Sequence, residues 1–155
     1  MSYSVWHHRT QAGEQSLQQD QPGIALVHYL AALEQARYWM EGISDQTPDA
    51  KRAEILKIYL RSCLNLVRFW YIQSSEEEQL RYLHQALHYT RYFETLNLKA
   101  QATLIDVLQT LQKSLKQFIS EQTEQPIEPL KRSLNQLEED IKRTQTDDLR
   151  ADIDS

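Results

Sequence analysis

The sequence predicts an all-α fold of five to six antiparallel helices, on three observations. Glycine and proline are scarce, 3 and 4 in 155 residues, and fall in a few places: Gly13, Pro22 with Gly23, Gly42 with Pro48, and Pro126 with Pro129. These residues punctuate a chain. Between them, apolar side chains recur at three- and four-residue steps, the period of a helix face. No run of alternating β-branched residues reads as a strand, and "IALVHY" (24–29) is embedded in Ala, Leu, Glu and Gln.

Taken in order, the first helix covers about Val5 to Gln19. The second runs from Pro22, whose missing N–H costs nothing in a first turn, to about Glu41. After the loop "GISDQTPDA" a long third helix begins near Asp49, with Ala53, Leu56, Leu60, Cys63, Val67 and Trp70 on one stripe widened by Tyr59 and Leu66. That width implies burial against more than one neighbour. "SSEEEQ" (74–79) is a helix start: Ser74 or Ser75 caps it and three glutamates sit where the helix dipole favours negative charge.

The fourth helix, about 76–96, carries Tyr82, Ala86, Tyr89, Phe93 and Leu96, with Leu80, Leu83 and Leu87 alongside; "LNLK" then breaks or bends it. A fifth spans about Lys99 to Gln122, with Leu104, Leu108, Leu111, Leu115 and Phe118 inward. The last has a narrow seam, Leu130, Leu134, Leu137 and Ile141, suited to one surface: it packs back or forms a homodimer. The expected organisation is a helical body over residues 1–122, an amphipathic capping or dimerisation helix over 123–144, and a disordered acidic tail over 145–155.

Bulk properties exclude several functions. A domain of about 150 residues buries roughly 70% of its unfolded surface, enough for a core without metal or disulfide. One cysteine, on an apolar stripe, suits a reducing cytoplasm, and the first residues lack the basic start and apolar run of a signal peptide. No segment approaches the ~20 apolar residues of a membrane span. The net charge of −5 arises entirely from residues 121–155, with 10 acidic and 5 basic side chains, whereas 1–120 carries 12 of each. Without a basic stripe to displace phosphate counterions, nucleic acid is not an expected partner.

The chain repeats itself. Shifted by 54 residues, "HYLAALEQARYW" (28–39) meets "YLHQALHYTRYF" (82–93), pairing Ala32 with Ala86, Leu33 with Leu87, Arg37 with Arg91, Tyr38 with Tyr92 and Trp39 with Phe93. Gly13, Ala25, Tyr29 and Ala32 stand where two helices of a hairpin can approach closely beside one large ring. On these positions the first hairpin resembles a tetratricopeptide (TPR) repeat. It departs from that pattern at Arg9, where an aromatic is usual, and at Arg37, where a proline is. In the second copy Val67, Gln79, Leu83 and Ala86 occupy the register and only Ala86 keeps the pattern. The resemblance implies a short, degenerate TPR-like right-handed superhelix of stacked hairpins.

No nucleophile with a base, no paired carboxylates in contrasting environments and no phosphate loop is visible, so catalysis and cofactors are not expected. His84 and His88, four residues apart, with His28 on the related helix, form the one pattern that could bind a metal or small ligand. The stronger hint is aromatic. Eleven rings lie on the three central helices with Arg37, Arg61, Arg68, Arg81 and Arg91 interleaved, and interface hot spots favour Tyr, Trp and Arg. The expected function is a non-catalytic adaptor or chaperone gripping a peptide or helix of another protein through Arg37, Tyr38, Tyr82, Tyr89, Arg91 and Tyr92.

Overall fold

The computed structural model describes residues 3–121 and 127–154, with side chains up to residue 146. These residues form α1 (Ser4–Gln18), α2 (Pro22–Glu41), α3 (Asp49–Ile72), α4 (Glu76–Thr90), a 3-10 turn (Arg91–Thr95), α5 (Leu98–Ala102), α6 (Ile105–Glu121) and α7 (Glu128–Asp154). The fold is all-α. Seven α-helices replace the five to six expected, because the stretch 90–104 is cut twice. Thr90 turns its hydroxyl back to the Leu87 carbonyl (2.8 Å) and the chain tightens into the 3-10 turn. Asn97 then caps a new helix by accepting from the Ala100 amide (2.9 Å).

Consecutive helices pack as hairpins: α1 with α2, α3 with α4, α6 with α7, and α2 also lies on α3. The first hairpin closes around Gly13. A Cβ added there would stand 2.9 Å from Cε1 of Tyr29, so any larger residue forces the ring to shift. Ala25 and Ala32, one turn to either side of Tyr29, are 0% and 1% exposed. α1 is held to α3 as well: Trp6 Nε1 donates to Ser62 Oγ (2.7 Å) in the core, and Ser62 donates on to the Ile58 carbonyl (2.9 Å).

α1 and α3 end alike. In each, a residue with positive φ, Asp20 (58°) or Ser74 (60°), follows the last turn. The next amide bonds back to the third-last carbonyl, Gln21 to Ser16 and Ser75 to Trp70 (both 2.9 Å). This is the left-handed Schellman ending, without its usual glycine. Asp20 and Ser74 are 54 residues apart, the spacing of the sequence repeat, and so are the starts of α2 and α4 at Pro22 and Glu76. Ser75 caps α4, accepting from the Glu78 amide (3.4 Å).

The C-terminal expectations change. Leu130, Leu137 and Ile141 are 1–5% exposed and Leu134 is partly buried against the core. α7 contacts α6 and α5, and Lys116 Nζ meets Glu138 Oε1 at 3.2 Å across the hairpin. The seam thus packs back, and a homodimer through these four residues would have to dismantle this core. α7 continues to Asp154, through the stretch expected to be a disordered tail. The expected boundary at 122/123 lies outside the described residues.

Two stability measurements check this account. Gly13→Ala should lower stability by about 1–3 kcal/mol in chemical denaturation, since the Tyr29 ring must shift to admit a methyl. Ser74→Gly should raise it by about 0.5–1 kcal/mol by removing left-handed strain from a non-glycine residue.

Candidate functional site

The expected interaction residues do not share one surface. Tyr82 is buried at 7% exposure. Tyr89 is half-buried, edge-on to Tyr59 (centroids 4.8 Å apart) and stacked on Tyr92 (5.8 Å), over which Arg91 sits at 5.5 Å. Arg37 pairs with Glu34 and donates to Gln85 Oε1 (3.1 Å), so it ties α2 to α4. Tyr38, at 72% exposure, lines a separate notch with Ile43 and Lys51. Six of the eleven rings, Tyr29, Trp39, Tyr59, Phe69, Tyr82 and Phe93, are core. The aromatic surplus is mostly packing. Three hairpins hide their largest side chains where the helices cross, and that need consumes the rings.

A broad concavity lies over α3, between α1 and α6. Two adjoining grooves, of about 580 and 310 Å3, share Leu64, Asn65 and Thr110. The floor is apolar, with Trp6, Leu64 and Val107 at one end and Val67 and Phe118 at the other. Of the wider set of rings and arginines, Arg61, Arg68 and Tyr71 line it.

Its polar chemistry comes from helical spacing. Arg61, Asn65 and Arg68 stand at i, i+4 and i+7 on α3, on the face that also carries Glu54 and Lys57 and away from the buried stripe of Leu56, Leu60 and Cys63. His7, Gln11 and Glu14 repeat that spacing on α1. Arg68 Nη2 donates to Glu14 Oε1 (3.3 Å) and to the Tyr29 hydroxyl (3.4 Å), closing one end. Burial pushes the Tyr29 phenol up from its ordinary value, against the opposing pull of Arg68. Among the described residues, Arg61 makes no ion pair and Gln11, Asn65 and Ser114 make no side-chain hydrogen bond, although Asn65 is half-buried. The seam on α3 was the signal in the sequence that pointed here.

The chain belongs to the DUF2753 family. The family model, described as a protein of unknown function, matches residues 4–152, which takes in nearly the whole helical array. No curated protein and no solved structure matches the chain.

The histidine pattern does not assemble in this DUF2753 chain. His84 and His88 are exposed on α4, His28 is half-buried on α2, and no group of three His, Cys, Asp or Glu side chains among the described residues could hold a metal. No described helix is long and apolar enough to cross a membrane. Cys63 is 0% exposed beside the Tyr59 hydroxyl, and burial drives its thiol from 9.0 up to about 12 and the Tyr59 phenol higher still. It is not a nucleophile at neutral pH.

That pair sets a pH dependence. The folded chain keeps both protons where the unfolded chain sheds them, so stability is intact below pH 9 and falls as pH rises from there toward 12. Urea midpoints should drop across that window, and Cys63→Ala should make the drop shallower. Equal slopes for the two proteins would remove Cys63 as a contributor.

Proposed function

We propose that the chain is a non-catalytic, cytoplasmic protein-interaction module, an adaptor or chaperone, that holds an extended segment of another polypeptide in the groove between α1, α3 and α6. The observation that carries this reading is a pair of side-chain amides without hydrogen-bond partners among the described residues, half-buried Asn65 and exposed Gln11, above the apolar floor of Trp6, Leu64 and Val107. A helix satisfies its own backbone and asks a groove for apolar pockets. An extended peptide brings unpaired N–H and C=O groups that side-chain amides can meet.

The resemblance of the first hairpin to a TPR repeat supports the same reading. Stacking such hairpins creates an extended concave surface. Here α1, α3 and α6, the first helices of the three hairpins, supply most of the groove wall. The arginine and aromatic residues first expected to bind belong to α2, α4 and the 3-10 turn, and none of them lines this groove, so the groove reading replaces them. The buried, unreactive thiol suits a reducing compartment.

Site-specific photo-crosslinking in the native host tests it. A crosslinking amino acid at Gln11 or Thr110 should capture one and the same host polypeptide, and the same amino acid at His84 should not. The captured segment, made as a peptide, should bind the Asn65→Ala variant about five- to tenfold more weakly. Capture from His84 with none from the groove would discard the proposal.

A further inference from the structure

We infer that the smaller of the two adjoining grooves is a specificity pocket for a carboxamide side chain, Gln or Asn, of the bound segment, and that Gln79 selects it; this rests on the groove reading above and adds which side chain the segment brings. Gln79 is the anomaly of the second hairpin. In the 54-residue register it stands where the first hairpin has Ala25, a place that close helix packing fills with a small residue. Its long polar side chain is nevertheless only 8% exposed.

The amide of Gln79 is held one way round. Its Nε2 donates to the Ser75 carbonyl at 3.3 Å, whereas Oε1 accepts no hydrogen bond among the described residues. Turned over, the amide would set its oxygen against that carbonyl, acceptor to acceptor. Gln79 lines the smaller groove, and with Nε2 occupied, Oε1 is the end left to it. An acceptor on a buried side chain is costly to leave unpaired when a ligand displaces water, so it demands a donor.

The rest of the pocket decides which donor. Its floor is Leu64, Val67 and Phe118, and Arg68 is the one charged residue along its described wall. A lysine or arginine of the segment would face that guanidinium with no carboxylate in the pocket to balance it, since Glu14, from the larger groove, is already bound to Arg68. An aspartate or glutamate would suit Arg68 but bring lone pairs against Oε1. An apolar side chain would leave Oε1 dry and unpaired. A primary carboxamide satisfies both groups: its N–H donates to Gln79, and its oxygen accepts from Arg68, which spends only Nη2 on Glu14 and Tyr29 and keeps Nε and Nη1 for a ligand. The groove's 310 Å3 is ample for one such side chain.

Selection of random heptapeptides displayed on phage against the full chain tests this. Enriched sequences should carry Gln or Asn at one fixed position. A synthetic peptide of the enriched sequence should bind the native protein about five- to tenfold more tightly than versions with leucine, glutamate or lysine at that position. Gln79→Met, of similar length, should bind the glutamine and leucine versions alike, with its melting curve recorded alongside. Gln11→Ala, in the larger groove, should weaken every version and keep the preference. Enriched peptides without an amide position, equal binding of all versions by the native protein, or a preference that survives Gln79→Met overturns this inference and leaves the groove reading standing. Failure of any peptide to enrich overturns both.

Discussion

The approach of α1 to α2 at Gly13 is the constraint on which the arrangement rests. With 2.9 Å between a notional Cβ and the Tyr29 ring, the two backbones are as close as an aromatic side chain permits. That proximity drops Tyr29 through the hairpin far enough for its hydroxyl to reach Arg68 on α3, which also holds Glu14 on α1. One ring therefore fixes three helices relative to each other. Its far side meets Phe69 at 6.3 Å, which continues the contact into the second hairpin. Move α1 outward by a methyl group and both the groove wall and the Arg68 closure move with it.

Magnitudes decide which polar contacts matter. Among the described residues, five of the seven ion pairs join residues three apart on one helix, and such pairs contribute a few tenths of a kcal/mol. The two that join different helices, Arg68 with Glu14 and Lys116 with Glu138, are solvent-facing and stabilise modestly, though they help set the angle between elements. Lys116 and Gln112 together hold the Glu138 carboxyl below its ordinary range. The buried Trp6–Ser62 bond is a different case. Losing its acceptor would leave an indole N–H orphaned in the core, at a cost of about 1–3 kcal/mol. α1 is anchored by that bond and by the Gly13 contact far more than by its surface charges.

Helix starts were legible in the sequence because their signals are local: Pro22 opens α2, Asp49 opens α3, and Ser75 with its glutamates opens α4. The small-residue crossing at Gly13, Ala25, Tyr29 and Ala32 was legible for the same reason. The ends of α1 and α3 were located only through the start of the helix that follows each, since Asp20 and Ser74 adopt the left-handed turn that glycine usually marks. The double break at 90–104 was only half visible: "LNLK" signals one cut, whereas the 3-10 turn depends on Thr90 choosing its own backbone over the helix ladder. The candidate site was misplaced because ring counting cannot separate core from surface. Tyr82 and Tyr92 differ in burial, 7% against 40%, yet occupy similar helical contexts in the sequence. Geometry distinguishes them, through which helices become neighbours.

That geometry also explains how one small chain can present two unlike surfaces. Most of α3 is buried, and the stretch of its polar face formed by Arg61, Asn65 and Arg68 opens between α1 and α6. α2 covers another side of α3 and turns Ile24, Val27 and Leu30 away from it, between the exposed Asp20 and Glu34. A seam of amides and guanidinium groups discriminates by hydrogen-bond pattern, whereas Ile24, Val27 and Leu30 offer no directional groups. The first is suited to reading a partner's backbone. Because the core of α3 stands between the two faces and they share no residue, occupation of the groove leaves the α2 face untouched.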